Sequence, residues 1–335
     1  MDQDVDNRGS NIVKPLYFPA GVADPDKRVA YIEDGAAGIE AFELNDSQSV
    51  WRSPIAARPV IVNNGRLAAL RLVSEPPDRL QLVLLDTNDA GRLLQQSEPV
   101  TFPPQIVPSI VSGAAFQYSA VIEGNDVVLK WSAHTRYLGG AAPPSYVQSQ
   151  TGVRHNGVVR INLVTGTVVT SSSENPDEMQ LPPPLETATV MTEPWSIGDE
   201  LAVIVGEIAG DQQVLRLEKW NPSTAALRPP IRLINGEALV SYVTPDGRYL
   251  LIHSESQAFL PVSNDIPWWL FSVERGQQIA RLKYERGAAE ACVLDSFVYY
   301  IAAAAIKSVE IASGSVMWQH ALSLKPVTPR PPLRQ

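Results

Sequence analysis

A hairpin of alternating apolar and polar residues recurs along the chain, and this repeat limits the possible folds more than any other feature. The copy at residues 38–53 reads GIEAFELNDSQSVWRS and turns at Asn45, Asp46 and Ser47. A copy near the C-terminus, at 306–320, reads IKSVEIASGSVMWQH, and weaker copies begin at residues 79, 157, 214 and 268. Alternation on both sides of a tight turn is typical of antiparallel strands. The pattern therefore predicts six hairpins.

Two more short strands precede most of these hairpins, and they are joined by tight turns such as Asn-Asn-Gly at 63–65 and Pro-Asp-Gly at 245–247. The repeating unit is thus four antiparallel strands, which predicts an all-β fold, the β-propeller, with six blades. The predicted blades span residues 15–53, 57–97, 114–173, 188–233, 237–284 and 288–323. Seven blades are the alternative because the third unit is long, and a pair of β-sandwiches is the other all-β arrangement.

The composition agrees with one large all-β domain. The chain has 335 residues, 44% of them apolar, and its 28 prolines and 21 glycines are scattered along the whole length, where they disfavour long helices. The predicted organisation is a flexible N-terminal segment at 1–13, the propeller at 14–324 and a proline-rich C-terminal tail at 325–335.

Charge and cysteine content exclude several classes of function. A net charge of −9 without a cluster of Lys and Arg argues against a nucleic-acid partner. The longest apolar run, at 297–306, is about half a membrane-spanning helix, so no membrane segment is predicted. The acidic N-terminus does not read as a secretory signal, which predicts a cytoplasmic protein, or an extracytoplasmic one if a leader was removed. The single cysteine, Cys292, permits no internal disulfide and reads as a small buried hydrophobe.

The first and last hairpins share a specific set of residues. These are Gly38, Ala41, Glu43 and Trp51 in the first hairpin, and Glu310, Gly314 and Trp318 in the last. The set resembles the repeat of quinoprotein-type (PQQ-like) β-propellers, although Ser47 and Ser308 stand where that family has Gly and Ala. The four middle hairpins keep the strand pattern without the tryptophan. The resemblance implies that Trp51 and Trp318 dock against neighbouring blades and are largely buried there.

The residues of the chain favour the non-enzymatic branch of that family. Its quinone-dependent enzymes hold a calcium ion with acidic and amide side chains, and many carry a disulfide between adjacent cysteines, which one cysteine cannot form. The chain also lacks a Gly-x-Ser-x-Gly turn, and its histidines are dispersed, with His253 and His320 inside predicted strands. We therefore predict no catalytic residue, no metal site and no cofactor.

Loop length points to the side of the fold that would bind a partner. In a four-stranded blade, the connection from strand two to three and the exit from strand four share one face. The long loops, at 99–113, 137–156, 171–187 and 255–267, all fall on that face. Aromatic and arginine side chains in or beside them are typical of protein interfaces. The predicted contact residues are Arg136, Tyr137, Tyr146, Arg154, His155, Trp268 and Trp269.

The sequence thus predicts a propeller that acts as a protein-binding module or scaffold subunit, with a protein partner of unknown identity. The structural alternative is that the long loop at 137–156 packs against its own blade and binds no partner. Proline-rich LPPPLE at 181–186 and the tail serve either as polyproline ligands or as stiff connectors. The alternative function is an enzyme or small-ligand binder that uses the axial funnel of the propeller.

Overall fold

The computed structural model describes most of the chain. The described residues are 12–35, 38–55, 57–72, 79–101, 116–134, 154–173, 182, 185, 188–192, 194–210, 212–254, 267–283, 285 and 288–323. They fall into two compact units, of which the first contains the strands of residues 20–173 and the second contains those of residues 189–321. Tyr17 to Pro19 belong to the second unit, and Ser323 belongs to the first. None of the described residues forms a helix long and apolar enough to cross a membrane.

The first unit holds three antiparallel sheets. Its opening strand, β1 (Ile12–Val13), belongs to sheet three. Sheet one consists of β2 (Leu16–Phe18), β3 (Gly21–Asp24), β4 (Val29–Asp34), β5 (Gly38–Glu43) and β6 (Ser49–Ser53), in that order. Sheet two consists of β7 (Arg58–Asn63), β8 (Arg66–Leu72), β9 (Arg79–Asp86), β10 (Arg92–Gln96) and β11 (Val100–Thr101), with both β10 and β11 on β9. Sheet three adds β12 (Phe116–Glu123), β13 (Asp126–His134), β14 (Arg154–Asn162) and β15 (Val168–Ser173) after β1.

The second unit also holds three antiparallel sheets. Sheet four consists of β16 (Thr189–Val190), β17 (Trp195–Ile197), β18 (Glu200–Ala209), β19 (Gln212–Trp220) and β20 (Ile231–Gly236), with β16 and β17 both on β18. Sheet five consists of β21 (Leu239–Val243), β22 (Tyr249–Ser254), β23 (Pro267–Ser272) and β24 (Gln277–Lys283). Sheet six consists of β25 (Ala289–Leu294), β26 (Phe297–Ala302), β27 (Ala305–Glu310) and β28 (Val316–Ala321).

The turn between the third and fourth strands has the same backbone design in several sheets. Its left-handed residue has a φ of 61° at Ser47, 75° at Gly166, 62° at Gly276 and 68° at Gly314. In each case the backbone N–H of that residue donates to the carbonyl four residues earlier, at 2.8 to 2.9 Å. Glycine adopts this conformation without steric cost, whereas Ser47 must bear it. The alignment of Gly314 on Ser47 that the repeat predicts is therefore confirmed.

The hydrophobic core lies between consecutive sheets of each unit. In the first unit, Tyr31 and Ile39 of sheet one pack with Leu67 of sheet two, and a second cluster joins sheets two and three. In the second unit, one cluster joins sheets four and five and another joins sheets five and six. Face-to-face packing of four-stranded antiparallel sheets is the arrangement of propeller blades. The predicted fold class is confirmed, whereas the number of blades stays a prediction.

A buried carboxylate holds the end of the described chain in the first unit. Asp34, at the end of β4, is 1% exposed. It accepts hydrogen bonds from the backbone N–H and from the hydroxyl of Ser323, the latter at 2.9 Å. Because a buried carboxylate is costly unless it is hydrogen-bonded, these two bonds stabilise the position of Ser323.

The fourth strand of sheet four lies further along the chain than the hairpin pattern predicts. The pattern VLRLEKWNPSTAALRPP places the returning strand directly after the turn at 221–223. The structure forms only an isolated bridge there, between Trp220 and Leu227, and β20 begins at Ile231. Pro229 and Pro230 explain the delay because proline has no N–H to donate to a sheet.

Two other sequence predictions concern the N-terminal segment and the cysteine. Ile12 and Val13, which lie in the predicted flexible segment, form β1 and pair with Glu123 and Ile122 of β12. The predicted division at 1–13, 14–324 and 325–335 otherwise stays a prediction. Cys292 is a free and buried thiol in β25, as the sequence predicts.

Candidate functional site

The connections between strands differ in length at the two ends of each sheet. Each sheet contains four consecutive strands that pair in chain order: β3–β6, β7–β10, β12–β15, β17–β20, β21–β24 and β25–β28. The first of these strands connects to the second, and the third to the fourth, at one end of the sheet, which we call the turn end. The opposite end is the loop end. At the turn end, the connections from first to second strand are short: 25–28, 64–65, 124–125, 198–199, 244–248 and 295–296. At the loop end, residues 135–153 separate β13 from β14, and residues 255–266 separate β22 from β23. The length contrast that the sequence predicts therefore holds for sheets three and five.

The predicted contact residues of sheet three fall partly outside the described residues. Arg136, Tyr137 and Tyr146 are outside them. Arg154 and His155 belong to β14, where their backbones pair with His134 and Ala133 of β13. The loop predicted at 137–156 therefore ends earlier than expected, because β14 begins at Arg154 and already includes residues 154–156. A partner-binding role for these five residues stays a prediction.

Trp268 and Trp269 point to opposite faces of sheet five. They are consecutive residues of β23, and successive side chains of a strand alternate between faces. Trp268 is 3% exposed, packs in the cluster between sheets five and six and meets the Tyr300 ring edge-on at 5.6 Å. Trp269 is partly buried against the cluster between sheets four and five. Of the predicted pair, Trp269 is the ring that keeps accessible surface.

A polar cluster of Glu285, Tyr300 and Lys307 lies at the loop end, where the chain leaves sheet five and enters sheet six. Lys307 of β27 donates to both carboxylate oxygens of Glu285 at 2.7 Å, and the Tyr300 hydroxyl is 3.4 Å from the same carboxylate. The Lys307 side chain is 16% exposed and that of Glu285 is 33% exposed. Burial, with a further contribution from the charge of Glu285, raises the pKa of Tyr300 to about 12. The cluster thus connects Glu285, which precedes sheet six, to β27.

This arrangement predicts a dependence of stability on alkaline pH. Because the pKa of Tyr300 in the folded chain is about 12 and its ordinary value is 10.0, the unfolded chain loses this proton first. The stability that the protonated Tyr300 contributes is therefore fully present below about pH 10 and is lost as the pH rises toward 12. We expect Tyr300→Phe to reduce the fall in urea midpoint between these pH values, while Tyr31, whose pKa burial also raises to about 12, maintains part of it. Identical pH profiles for the variant and the wild type would contradict this.

Trp51 contacts the neighbouring sheet as the resemblance implies. A Cβ built on Gly91, in the turn before β10, would lie 2.4 Å from Cζ3 of Trp51, so the indole rests directly on that glycine. The ring also lies 5.8 Å from that of Tyr31. Trp51 is partly rather than largely buried, since its position in β6, the last strand of sheet one, leaves part of the ring accessible. Trp318 is partly buried too, 5.7 Å from the Tyr299 ring of its own sheet.

In sheet four, whose fourth strand lacks the tryptophan, other side chains pack on turn glycines of the next sheet. Ile231 of sheet four lies against Gly276 of sheet five, whose added Cβ would come within 2.5 Å of Cδ1. Trp195 of β17 lies against Gly247 and donates its Nε1–H to the Gly247 carbonyl at 3.1 Å. The hairpin pattern did not predict this role for Trp195, because the pattern places the tryptophan in the fourth strand and Trp195 lies in β17. The glycine of the facing tight turn was the available signal.

A cleft of about 330 Å³ opens at the turn end between sheets two and three. Its floor is aliphatic and includes Ile61, Leu84 and Ile122, which belong to the core between these sheets. Its rim is polar, with Asn63, Asn64, Arg66 and Asn125. Among the described residues, these four side chains form no hydrogen bond or ion pair. The Asn-Asn-Gly sequence at 63–65 predicts a tight turn and nothing more, although the asparagine that recurs at Asn125 in the corresponding turn of sheet three was a signal.

Metal ligands do not gather in the described part of the chain. No group of three or more His, Cys, Asp or Glu side chains there is placed to hold an ion. The buried thiol of Cys292 has a raised pKa because burial disfavours the thiolate. His253 and His320 lie in β22 and β28, inside strands as predicted.

Comparisons with known proteins find similar solved structures only at low sequence identity. No family model matches the chain, and no curated protein matches it. BamB from Moraxella catarrhalis is similar over 90% of this chain and 75% of its own, with 13% identity and a TM-score of 0.31. Hsv2 from Kluyveromyces lactis is similar over 91% and 99%, with 11% identity and a TM-score of 0.40. The propeller of Dos1 is similar over 87% and 66%, with 8% identity and a TM-score of 0.30.

No family model thus confirms the quinoprotein-type repeat that the two end hairpins resemble. The fold class rests on the sheets themselves, which are antiparallel, contain four or five strands and pack face to face within each unit. The chain is an all-β propeller of four-stranded antiparallel blades.

Proposed function

We propose that this propeller is a non-enzymatic protein-binding module or scaffold subunit, and that its partner contacts the loop ends of sheets three and five. The observation that carries the proposal is the contrast between connections of a few residues at the turn end and those at 135–153 and 255–266. Long connections on a rigid scaffold are typical of binding surfaces, since they vary in sequence without disturbing the core.

Residue chemistry supports the same end. Arg136, Tyr137, Tyr146 and Arg154 are of the types that dominate protein interfaces, because they combine large contact area with a polar group. Between sheets five and six, the ion pair of Glu285 and Lys307 holds two charged side chains in place near the loop end, which reduces the entropy that binding there would cost. Trp269 adds partly accessible aromatic surface on β23.

Site-specific cross-linking tests the proposal. We expect a photoreactive phenylalanine analogue in place of Tyr137 or Tyr146 to cross-link the partner in extracts of the native source. The same analogue at Ala312, an exposed residue of the turn end of sheet six, should not. Cross-links from Ala312 alone would move the interface to the turn end and refute the proposal.

Once the partner is isolated, alanine substitutions give the energetic test. Tyr137→Ala and Arg154→Ala should each weaken binding by more than about 1 kcal/mol, roughly fivefold, because interface anchors lose at least this much on truncation. Arg275→Ala is the matched control, since Arg275 is exposed in a turn-end connection of sheet five. Equal affinities for all three variants would show that the loop end is not the interface.

A further inference from the structure

The cleft between sheets two and three has the chemistry of a site for an acidic, extended segment. Arg66 is its one charged lining residue. The asparagine amides on the rim can each donate to and accept from a peptide backbone. Val164, which also lines the cleft, is 67% exposed and extends the aliphatic floor to its mouth. An occupant with carboxylates and a small apolar side chain would satisfy all of these groups.

Strand β1 brings the start of the chain to the rim of this cleft. Ile12 pairs with Glu123, and Val13 pairs with Ile122, which lines the floor. Because the pairing is antiparallel, β1 begins opposite the end of β12, next to the turn of Gly124 and Asn125. Val13 packs against the same core cluster as Ile122, so β1 extends the face of sheet three that the cleft uses.

The segment that precedes β1 matches the cleft in charge and length. Residues 1–11 read MDQDVDNRGSN, with three aspartates against one arginine and a single valine among the aspartates. Extended, these residues span up to about 36 Å, which is enough to cross a cleft that begins at their point of attachment. A carboxylate that reaches the exposed guanidinium of Arg66 can form a bidentate pair with it.

We propose that residues 1–11 occupy this cleft, with the carboxylates of residues 2–6 against Arg66 and the segment backbone on the asparagine amides. The segment is tethered at β1, so its effective concentration at the cleft is on the order of millimolar.

A trans-binding assay tests this. The probe is a fluorescein-labelled peptide with the sequence of residues 1–11, and the receptors are the full chain and a chain that starts at Ile12 and so retains β1. We expect the shortened chain to bind the peptide at least tenfold more tightly than the full chain, in which the tethered copy competes. Higher ionic strength should weaken this binding because it rests on exposed charges.

Two matched changes locate the contact. Arg66→Glu in the shortened chain should weaken peptide binding at least tenfold, whereas Lys130→Glu should not. Lys130 is exposed in β13, and its alternation with Leu129, a residue of the core between sheets two and three, places it on the other face of sheet three. A peptide with asparagine in place of its three aspartates should likewise bind at least tenfold more weakly.

Three results would overturn the proposal. No measurable binding to the shortened chain would mean that the segment does not fit the cleft. Equal binding to both chains would mean that the cleft is open and takes a segment of another molecule. Binding that survives Arg66→Glu would place the peptide elsewhere on the protein.

Discussion

Gly38→Ala should lower the free energy of unfolding by at least about 3 kcal/mol, since it combines backbone strain with a clash that no side chain can relieve. Gly38 begins β5 with a φ of 92°, which disfavours any residue with a side chain. An added Cβ would lie 2.1 Å from the carbonyl oxygen of Ser53 and 2.9 Å from the carbonyl carbon of Pro54. Both obstacles are backbone, so only a shift of β5 or β6 could accommodate the methyl group. Urea unfolding of the purified variant measures the loss.

Gly314→Ala separates the two contributions to that loss. Gly314 has a φ of 68°, but a Cβ added there would have no atom within 4 Å. It should therefore show only the conformational cost, about 1 to 2 kcal/mol. If both variants lose the same stability, the close approach of Gly38 to Ser53 is not present in solution.

Trp51→Ala should cost about 3 kcal/mol, at the low end for a tryptophan because the ring is only partly buried. The loss removes the contact between β6 and the turn at Gly91, and also the neighbour of the Tyr31 ring. Gly91→Ala alone should also be strongly destabilising, because its Cβ would lie 2.4 Å from the indole and its φ is 69°. Thermal and urea unfolding of both single variants provide the reference values.

The double variant tests whether the two residues form one docking contact. In the Trp51→Ala background, Gly91→Ala should cost only the conformational term, about 1 to 2 kcal/mol, since the obstructing ring is gone. Gly198→Ala, made with and without Trp51→Ala, is the control, because Gly198 has a φ of 57° and a Cβ there would meet no atom within 4 Å. Its cost should be the same in both backgrounds. Additive losses for Trp51 and Gly91 would show that the indole does not rest on that turn.

The predicted binding residues show the limit of sequence reasoning about the site. Residue chemistry and loop length predicted the loop end as the binding surface and predicted Trp268 and Trp269 together as contact residues. In the structure, alternation in β23 buries Trp268 against Tyr300 and leaves Trp269 partly accessible. The strand itself was predicted, but which face of sheet five packs more tightly depends on its neighbours in the fold.

The turns, the hairpins and the all-β class were determined by the sequence itself, because they rest on residues a few positions apart. Gly166, Gly276 and Gly314 adopt the left-handed conformations that their turns require, and the predicted units agree with the sheets to within a few residues, except at β20. What depends on distant residues was decided by the tertiary structure alone. Three features join segments that have no local sequence pattern in common. They are the pairing of Ile12 with Glu123, the packing of Trp51 on Gly91 and the cleft lined by Arg66. Alternating apolar residues specify that a strand has a buried face, but the partner on that face is chosen by packing across the whole fold.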